Sequence, residues 1–297
     1  EKKRVIIADD MGLGKTAEAI SAKTLIEKRQ GYDSRTLYVC PASVMEHIEE
    51  EIKLWYKKGK NTMITQIQTS TYERDLNDAK NSDFTIIGYP TLSYFGNDLN
   101  KIKKLEEIGF QYGIIDEAHN AKNPRSIRSM AIKHLFDSTE YLAILTGTPI
   151  PNSIIDIYML LSLLDKENFP INGINAGAIL SNFYNLFKEN PNFIRNVLYD
   201  GGRMLRRTVH EYLNEKFPDL RQSVLEVNLD GEHREAYIKL FENDDIKPAA
   251  KLIQLRKALI DPNLVREDVL DNLASRIGNM ESSVYKSLDE LVERVID

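Results

Sequence analysis

Apolar positions come in short bursts along this chain. "VIIAD" (Val5 to Asp9), "TLYVC" (Thr36 to Cys40), "FTIIGY" (Phe84 to Tyr89), "YGIID" (Tyr112 to Asp116) and "YLAILTG" (Tyr141 to Gly147) have the length and the aliphatic and aromatic content of buried strands. Longer stretches with helical periodicity separate them, and this alternation predicts a mostly parallel sheet covered on both faces. The first helix should span about Lys15 to Gln30, carrying Ile20, Leu25 and Ile26, with Gly31 as a left-handed stop. The second has a start signal: Ser43 and Glu46 have the spacing of a capping box, and Val44, Ile48, Ile52 and Trp55 recur as one buried face.

The pattern changes after Pro151. "SIIDIYMLLSLLD" reads as a helix, followed by a loop with Pro170, Gly173 and Gly177 and a further helical stretch around Ala178 to Lys188. From about Gly231 onward "HREAYIKLF", "AAKLIQLRKALI" and "SVYKSLDELVERVI" read as helices, and "SVLEVNL" (Ser223 to Leu229) alternates like a strand. The expectation is an α/β lobe over residues 1–150 and a largely helical portion after it.

Composition narrows the class. The chain has 297 residues, 42% hydrophobic and 28% charged, enough for one large core or two small ones. Its longest greasy run, Ile157 to Leu164, is broken by Ser162, so a packed helix is expected and no membrane span. The single cysteine, Cys40, reads as a buried strand residue, and the lack of a possible intrachain disulfide fits a reducing, cytoplasmic setting. The net charge of −6 argues against a uniformly basic surface. Two lysine clusters, Lys57, Lys58 and Lys60 and Lys101, Lys103 and Lys104, read as solvated faces. The chain begins at Glu1 and enters a strand almost at once, without a leader, so the expectation is a piece of something longer.

The chemistry concentrates at strand ends. In "DDMGLGKT" a strand gives way to a glycine turn that opens a helix, and consecutive N–H groups there suit a polyphosphate. Asp10, Met11, Gly12, Leu13, Gly14, Lys15 and Thr16 form the loop. Lys15 is expected on the β and γ phosphates and the Thr16 hydroxyl on Mg²⁺. The strict pattern places a glycine at position 9, where this chain has Asp9. About a hundred residues later "YGIIDEAH" puts Asp116 and Glu117 at a strand end, so Asp116 is expected to serve the metal and Glu117 the attacking water. Thr146, Gly147 and Thr148 end a further strand in a turn able to sense phosphates. No guanine-reading "NKxD" occurs, which leaves adenine as the expected base and ATP with Mg²⁺ as the expected ligands.

"ADDMGLGKT", "YVCPASVMEHIEEEI", "IIDEAHNAKNPRS", "LTGTPIPNSIIDIYMLLSLL" and "MLRRTV" resemble, in order and spacing, the Swi/Snf-type ATPases of helicase superfamily two, in which an aspartate at position 9 is usual. The resemblance implies a RecA-like P-loop lobe, the first of two, in a motor that uses ATP to move on duplex DNA and remodel what is bound there. It implies a helical protrusion and return to the lobe over residues 151–222 and a mostly helical linker over 223–297 leading to a second lobe. Carried over, Ser43, Tyr89 and Thr91 face the DNA backbone at strand ends, and Lys122 and Asn123 match the "KN" after the acidic box. Arg206 and Arg207 match a paired arginine, with DNA contact and structural pairing with acids both open.

The glutamine segment that normally precedes the loop and the second-lobe motifs with their arginine fingers are not found, so the fragment is expected to turn over poorly. Two alternatives stand beside the translocase. One is a strand-separating DNA or RNA helicase, or the motor subunit of a DNA-processing enzyme; the other is a nucleotide-gated interaction module that does not hydrolyse. The setting is intracellular, in a nucleoid or nucleus.

Overall fold

The computed structural model describes residues 3–148, 154–171, 176–209, 211, 227–229 and 231–260. The chain divides into two compact units, Glu1–Lys216 and Phe217–Asp297.

The first unit is built on a seven-stranded sheet in which every pairing is parallel. The five apolar runs form β1 (Arg4–Ile7), β2 (Thr36–Cys40), β4 (Phe84–Gly88), β5 (Tyr112–Ile115) and β6 (Tyr141–Leu145). Two strands without a strong pattern complete it, β3 (Ile64–Ile67) and β7 (Met204–Leu205). The order is β3-β4-β2-β5-β6-β1-β7. Because β6 lies between β1 and β5, the turn after it stands between the turns that follow those two strands. All three leave the same carboxyl edge, the usual place for a ligand in an open parallel sheet.

Successive side chains on a strand point to opposite faces, and two cores result. One face carries Ile6, Leu37, Val39, Ile87, Ile115 and Ile144 against α3 (Tyr72–Ala79), α4 (Tyr89–Phe95), α5 (Leu99–Glu106), α6 (Ile127–Asp137) and α7 (Asp156–Leu164). The other carries Ile7, Tyr38, Cys40, Phe84, Ile86, Ile114 and Leu145 against α1 (Lys15–Gln30) and α2 (Met45–Trp55). Gly113 is what lets α6 come close, since a Cβ there would lie 2.4 Å from the Phe136 ring. Helix α7 is buried on every side from Ile157 to Leu164, and Ser162, the polar residue within this apolar run, donates its hydroxyl to the Met159 carbonyl at 2.7 Å. Helix α8 (Ala176–Glu189), the short α9 (Phe193–Arg195) and a π turn at Asn196–Asp200 lead to β7.

Two helix expectations have different outcomes. Helix α1 runs from Lys15 to Gln30 and stops at Gly31, φ 82°, whose N–H donates to the Glu27 carbonyl. The Ser43 capping box does not form: a 3-10 turn at Ala42–Val44 follows Pro41, α2 starts at Met45, and no side chain caps it. Ile48 and Ile52 are buried as expected, whereas Trp55 is 47% exposed and its Nε1 donates to Glu51 at 2.8 Å.

The second unit contains α10 (Gly231–Glu242) and α11 (Pro248–Ile260), joined by Ala236, Leu240, Leu255 and Ala258 and by buried His233, whose Nε2 meets the Ala258 carbonyl at 2.6 Å. The strand expected at Ser223 to Leu229 falls mostly outside the described residues, and 227–229 have no regular structure. The helix expected from Ser283 lies wholly outside them. No described helix is long and apolar enough to cross a membrane.

Candidate functional site

The loop after β1 is bounded by two glycines in the left-handed region, Gly12 and Gly14, both at φ 83°. A Cβ at either would meet nothing within 4 Å, so open space lies over this part of the loop. Gly14 is the N-cap of α1 and has no side-chain cap, which leaves the helix's first N–H groups for an external acceptor. The Lys15 ammonium donates to the main-chain carbonyls of Asp9 and Asp10 at 2.8 and 3.0 Å. Open space, free donors and a lysine held only by carbonyls fit a polyphosphate.

Asp9 explains its own departure from the strict loop pattern. It is fully buried at the end of β1, and its Oδ1 accepts the Arg207 N–H at 2.8 Å while Oδ2 accepts Arg207 Nε at 2.7 Å and also Nη2. The same guanidinium reaches Glu18 Oε1 at 2.5 Å. Main-chain bonds run alongside, from Ala8 N–H to Leu205 and from Asp10 N–H to Arg207, so the two-residue β7 is fastened to β1 by this clamp. Arg207 is thus paired with two acids, Asp9 and Glu18. Arg206 is exposed, its Nη2 3.9 Å from Asp10 Oδ1.

Asp116 follows β5, where its N–H continues the sheet by donating to the Val39 carbonyl at 2.8 Å. Its Oδ2 accepts the buried Tyr38 hydroxyl at 3.1 Å and its Oδ1 the Glu117 N–H at 2.9 Å. Burial raises the Asp116 carboxyl above the usual range. The two hydrogen bonds and the Lys15 charge oppose that rise, and the Glu117 charge adds to it. Burial first, and then the Asp116 charge, also push Cys40 up to about 12, so the thiol stays neutral and the strand-residue reading of it holds.

Glu117 is the one non-glycine residue with positive φ among the described residues, at φ 47° and ψ 52°. That conformation costs roughly 1–3 kcal/mol and persists only where neighbours enforce it. His119 Nδ1 lies 3.2 Å from Glu117 Oε2.

Thr146 is buried, and its N–H donates to the Ile7 carbonyl at 3.1 Å while its Oγ1 accepts from Thr148 N–H at 3.2 Å. A Cβ on Gly147 would lie 3.8 Å from Met11 Cγ and 4.0 Å from the Asp9 carbonyl oxygen, so this turn abuts the phosphate loop. The loop, this turn and the acidic pair therefore form one contiguous edge.

The expected nucleic-acid residues divide. Ser43 and Asn123 are exposed and Thr91 is half-buried. The Asn123 Oδ1 also accepts the Arg125 N–H at 3.0 Å, and Lys122 Nζ lies 3.6 Å from Asp156 Oδ2. Tyr89 does not present its side chain: it is 2% exposed, with its hydroxyl turned inward to the Asp116 carbonyl at 2.5 Å. The resemblance implied a DNA-facing position for Tyr89, but its ring is buried in the core and its hydroxyl meets the acidic box. Nor are Lys57 and Lys58 a merely solvated face. Lys57 pairs with Glu27 at 2.8 Å and Asp33 at 3.1 Å, and Lys58 with Asp33 at 2.9 Å and Asp83 at 2.5 Å. Tyr38 is a site residue that the sequence reading did not name, because its partner Asp116 lies 78 residues away in the chain.

Fold and site define a RecA-like nucleotide-binding lobe. The SNF2-related domain model matches residues 1–273, and the chain belongs to that family of helicase-like ATPases. It is 26% identical over 280 residues to the CHD3-type chromatin-remodeling factor CHR7 of Arabidopsis thaliana, covering 89% of this chain and 22% of that protein. It is 32% identical over 186 residues to helicase swr1 of Emericella nidulans, covering 62% of this chain and 10% of that one. Among solved structures, the Sulfolobus solfataricus SWI2/SNF2 ATPase core in complex with dsDNA matches with a TM-score of 0.59 and 23% identity, over 99% of this chain and 60% of that chain. The chain thus spans a minor part of these curated relatives.

Proposed function

We propose that this chain is the first lobe of a motor that hydrolyses ATP, moves along duplex DNA and remodels protein–DNA complexes. The observation that carries the reading is the single edge on which the phosphate loop, the 146–148 turn and the Asp116–Glu117 pair meet. Residues 10–16 hold the β and γ phosphates through N–H groups and Lys15. Thr16 and Asp116 hold Mg²⁺, which when bound neutralises phosphate charge. Glu117 orients the attacking water and takes its proton. Thr146, Gly147 and Thr148 relay the state of the phosphates to the neighbouring surface.

Duplex phosphates contact Ser43, Thr91, Lys122, Asn123 and Arg206. Contacts of that kind give affinity that falls steeply with salt and varies little with sequence. Residues 1–150 act as the lobe core, 151–222 as a helical protrusion and return to the lobe, and 223–297 as a mostly helical linker to a second lobe that supplies arginine fingers. Without those fingers the chain by itself hydrolyses slowly. The motor works inside the cell, in a nucleoid or nucleus.

The test is ATP hydrolysis by the full-length protein with no nucleic acid, duplex DNA, single-stranded DNA and RNA. Strong stimulation by duplex alone is expected. Stimulation by single strands or RNA would favour a strand-separating helicase, and no hydrolysis in any condition would favour a nucleotide-gated interaction module.

A further inference from the structure

Tyr89 sits one residue beyond β4, at the head of α4, in the turn that carries Pro90 and Thr91. Its main chain therefore belongs to the proposed DNA-facing turn, while its side chain belongs to the acidic box. The hydroxyl donates to the Asp116 carbonyl at 2.5 Å and lies 3.3 Å from the Glu117 carbonyl. Burial, and next the Asp116 charge, raise this phenol well above its ordinary value, so it keeps its proton and remains a donor.

Arg128 braces the arrangement. Its guanidinium lies 5.4 Å from the Tyr89 ring centroid, Nε donates to Ser93 Oγ at 3.0 Å, and Nη1 donates to the Asn120 carbonyl at 3.4 Å. Ser93 Oγ in turn donates to the Tyr89 carbonyl at 3.0 Å, and Asn120 Nδ2 donates to the Glu117 carbonyl at 3.0 Å. The left-handed backbone of Glu117 is thus held by neighbours of which one, Tyr89, moves with the turn after β4. Tyr89 is buried and bonded at both ends, its main chain in the turn and its hydroxyl on the Asp116 carbonyl, so it links the two physically.

We infer that Tyr89 is a positioning residue that couples the turn at Gly88–Thr91 to Glu117, so that a duplex pressing on the turn adjusts the main chain carrying the water-activating carboxylate. This route is separate from the 146–148 turn, and it rests on the ATPase reading above. Pro90 is exposed and Thr91 half-buried, so the turn is accessible to a strand of phosphates.

The test compares wild type with Tyr89→Phe in the full-length protein. The variant keeps the ring and the Arg128 stacking and removes only the donor. Duplex-stimulated kcat is expected to fall roughly ten- to hundredfold, because small misplacements of reacting groups have effects of that size. The KM for ATP and the duplex Kd should each stay within about twofold, and the unstimulated rate should fall less than the stimulated one, lowering the stimulation ratio. Tyr72→Phe is the matched control, since that hydroxyl donates to the Lys101 carbonyl away from the site, and its ratio should not change.

Equal loss of stimulated and unstimulated rates, or no loss, would overturn the coupling while leaving the ATPase reading intact. Absence of hydrolysis by wild type would overturn both. Should Tyr89→Phe not fold, Arg128→Ala at a half-exposed position removes the brace on the same ring, and an unchanged ratio there would overturn the proposal.

Discussion

Helix α1 carries a charged network at each end, and the two are built on opposite terms. Near its C-terminal end Lys23 and Glu27 are buried together at 2.8 Å. Lys23 also donates to Ser34, and its ammonium lies 5.2 Å from the ring centroids of both Tyr56 and Phe84. Glu27 accepts from Ser34 N–H at 2.9 Å and Tyr56 hydroxyl at 2.9 Å, and pairs with Lys57 at 2.8 Å. At the N-terminal end the Lys15 ammonium is hydrogen-bonded to carbonyls of its own loop, and the loop's Gly12 and Gly14 face open space. A closed network fixes packing, because every charge already has its partner. An open one binds, because a phosphate is a better acceptor than a carbonyl and displaces it.

The largest effects belong to the open end. Lys15→Ala is expected to weaken ATP binding about a hundredfold or more, the size seen when one member of a close charge pair is removed. Glu117→Gln should keep that binding and lose turnover by roughly 10²–10⁴-fold, since only proton transfer is removed. Equilibrium binding of a labelled nucleotide beside single-turnover hydrolysis separates the two, and equal binding losses would break the assignment of roles.

The closed end should answer in stability instead. Lys23→Met leaves Glu27 buried without its main partner and is expected to cost about 3–5 kcal/mol in urea unfolding, with nucleotide affinity retained by the folded fraction. Burial raises the Glu27 carboxyl, but hydrogen bonds from Lys23, Lys57 and Ser34 outweigh it and leave the group below the usual range. A folded value below the unfolded one of about 4.3 means that the contribution is full above that pH and is lost as pH falls through the folded value. Wild type should therefore lose stability from about pH 4 downward, and Glu27→Gln should flatten that part of the profile. A Lys23→Met variant as stable as wild type would erase the contrast between the two ends.

Sequence patterning reached the strands whose side chains are buried on both faces, because such strands read as unbroken apolar runs. It did not reach β3, where Thr65 and Gln66 interrupt the pattern at the sheet edge, or β7, which is two residues held by Asp9 and main-chain bonds. The phosphate loop and acidic pair were legible because their chemistry lies in consecutive residues. The clamp from Arg207 to Asp9 spans most of the unit, and Tyr89 turns inward, so neither could be read from local spacing. The Ser43 cap failed for a local reason: Pro41 leads into a 3-10 turn that moves the helix start past Ser43.

The finest test uses the glycines that bound α1. Gly14 and Gly31 have nearly the same backbone, φ 83° and φ 82°, and a Cβ on either would meet nothing within 4 Å. With no clash at either position, Gly14→Ala and Gly31→Ala should each cost about 1 kcal/mol from the left-handed conformation alone. Calorimetric melting should show similar shifts for both. They are expected to part company in nucleotide binding: position 14 lies in the phosphate loop at the start of α1, whereas position 31 lies at the other end of the helix. Affinity should fall for Gly14→Ala and stay unchanged for Gly31→Ala. Equal affinities would mean that the space above the phosphate loop is not where the ligand sits.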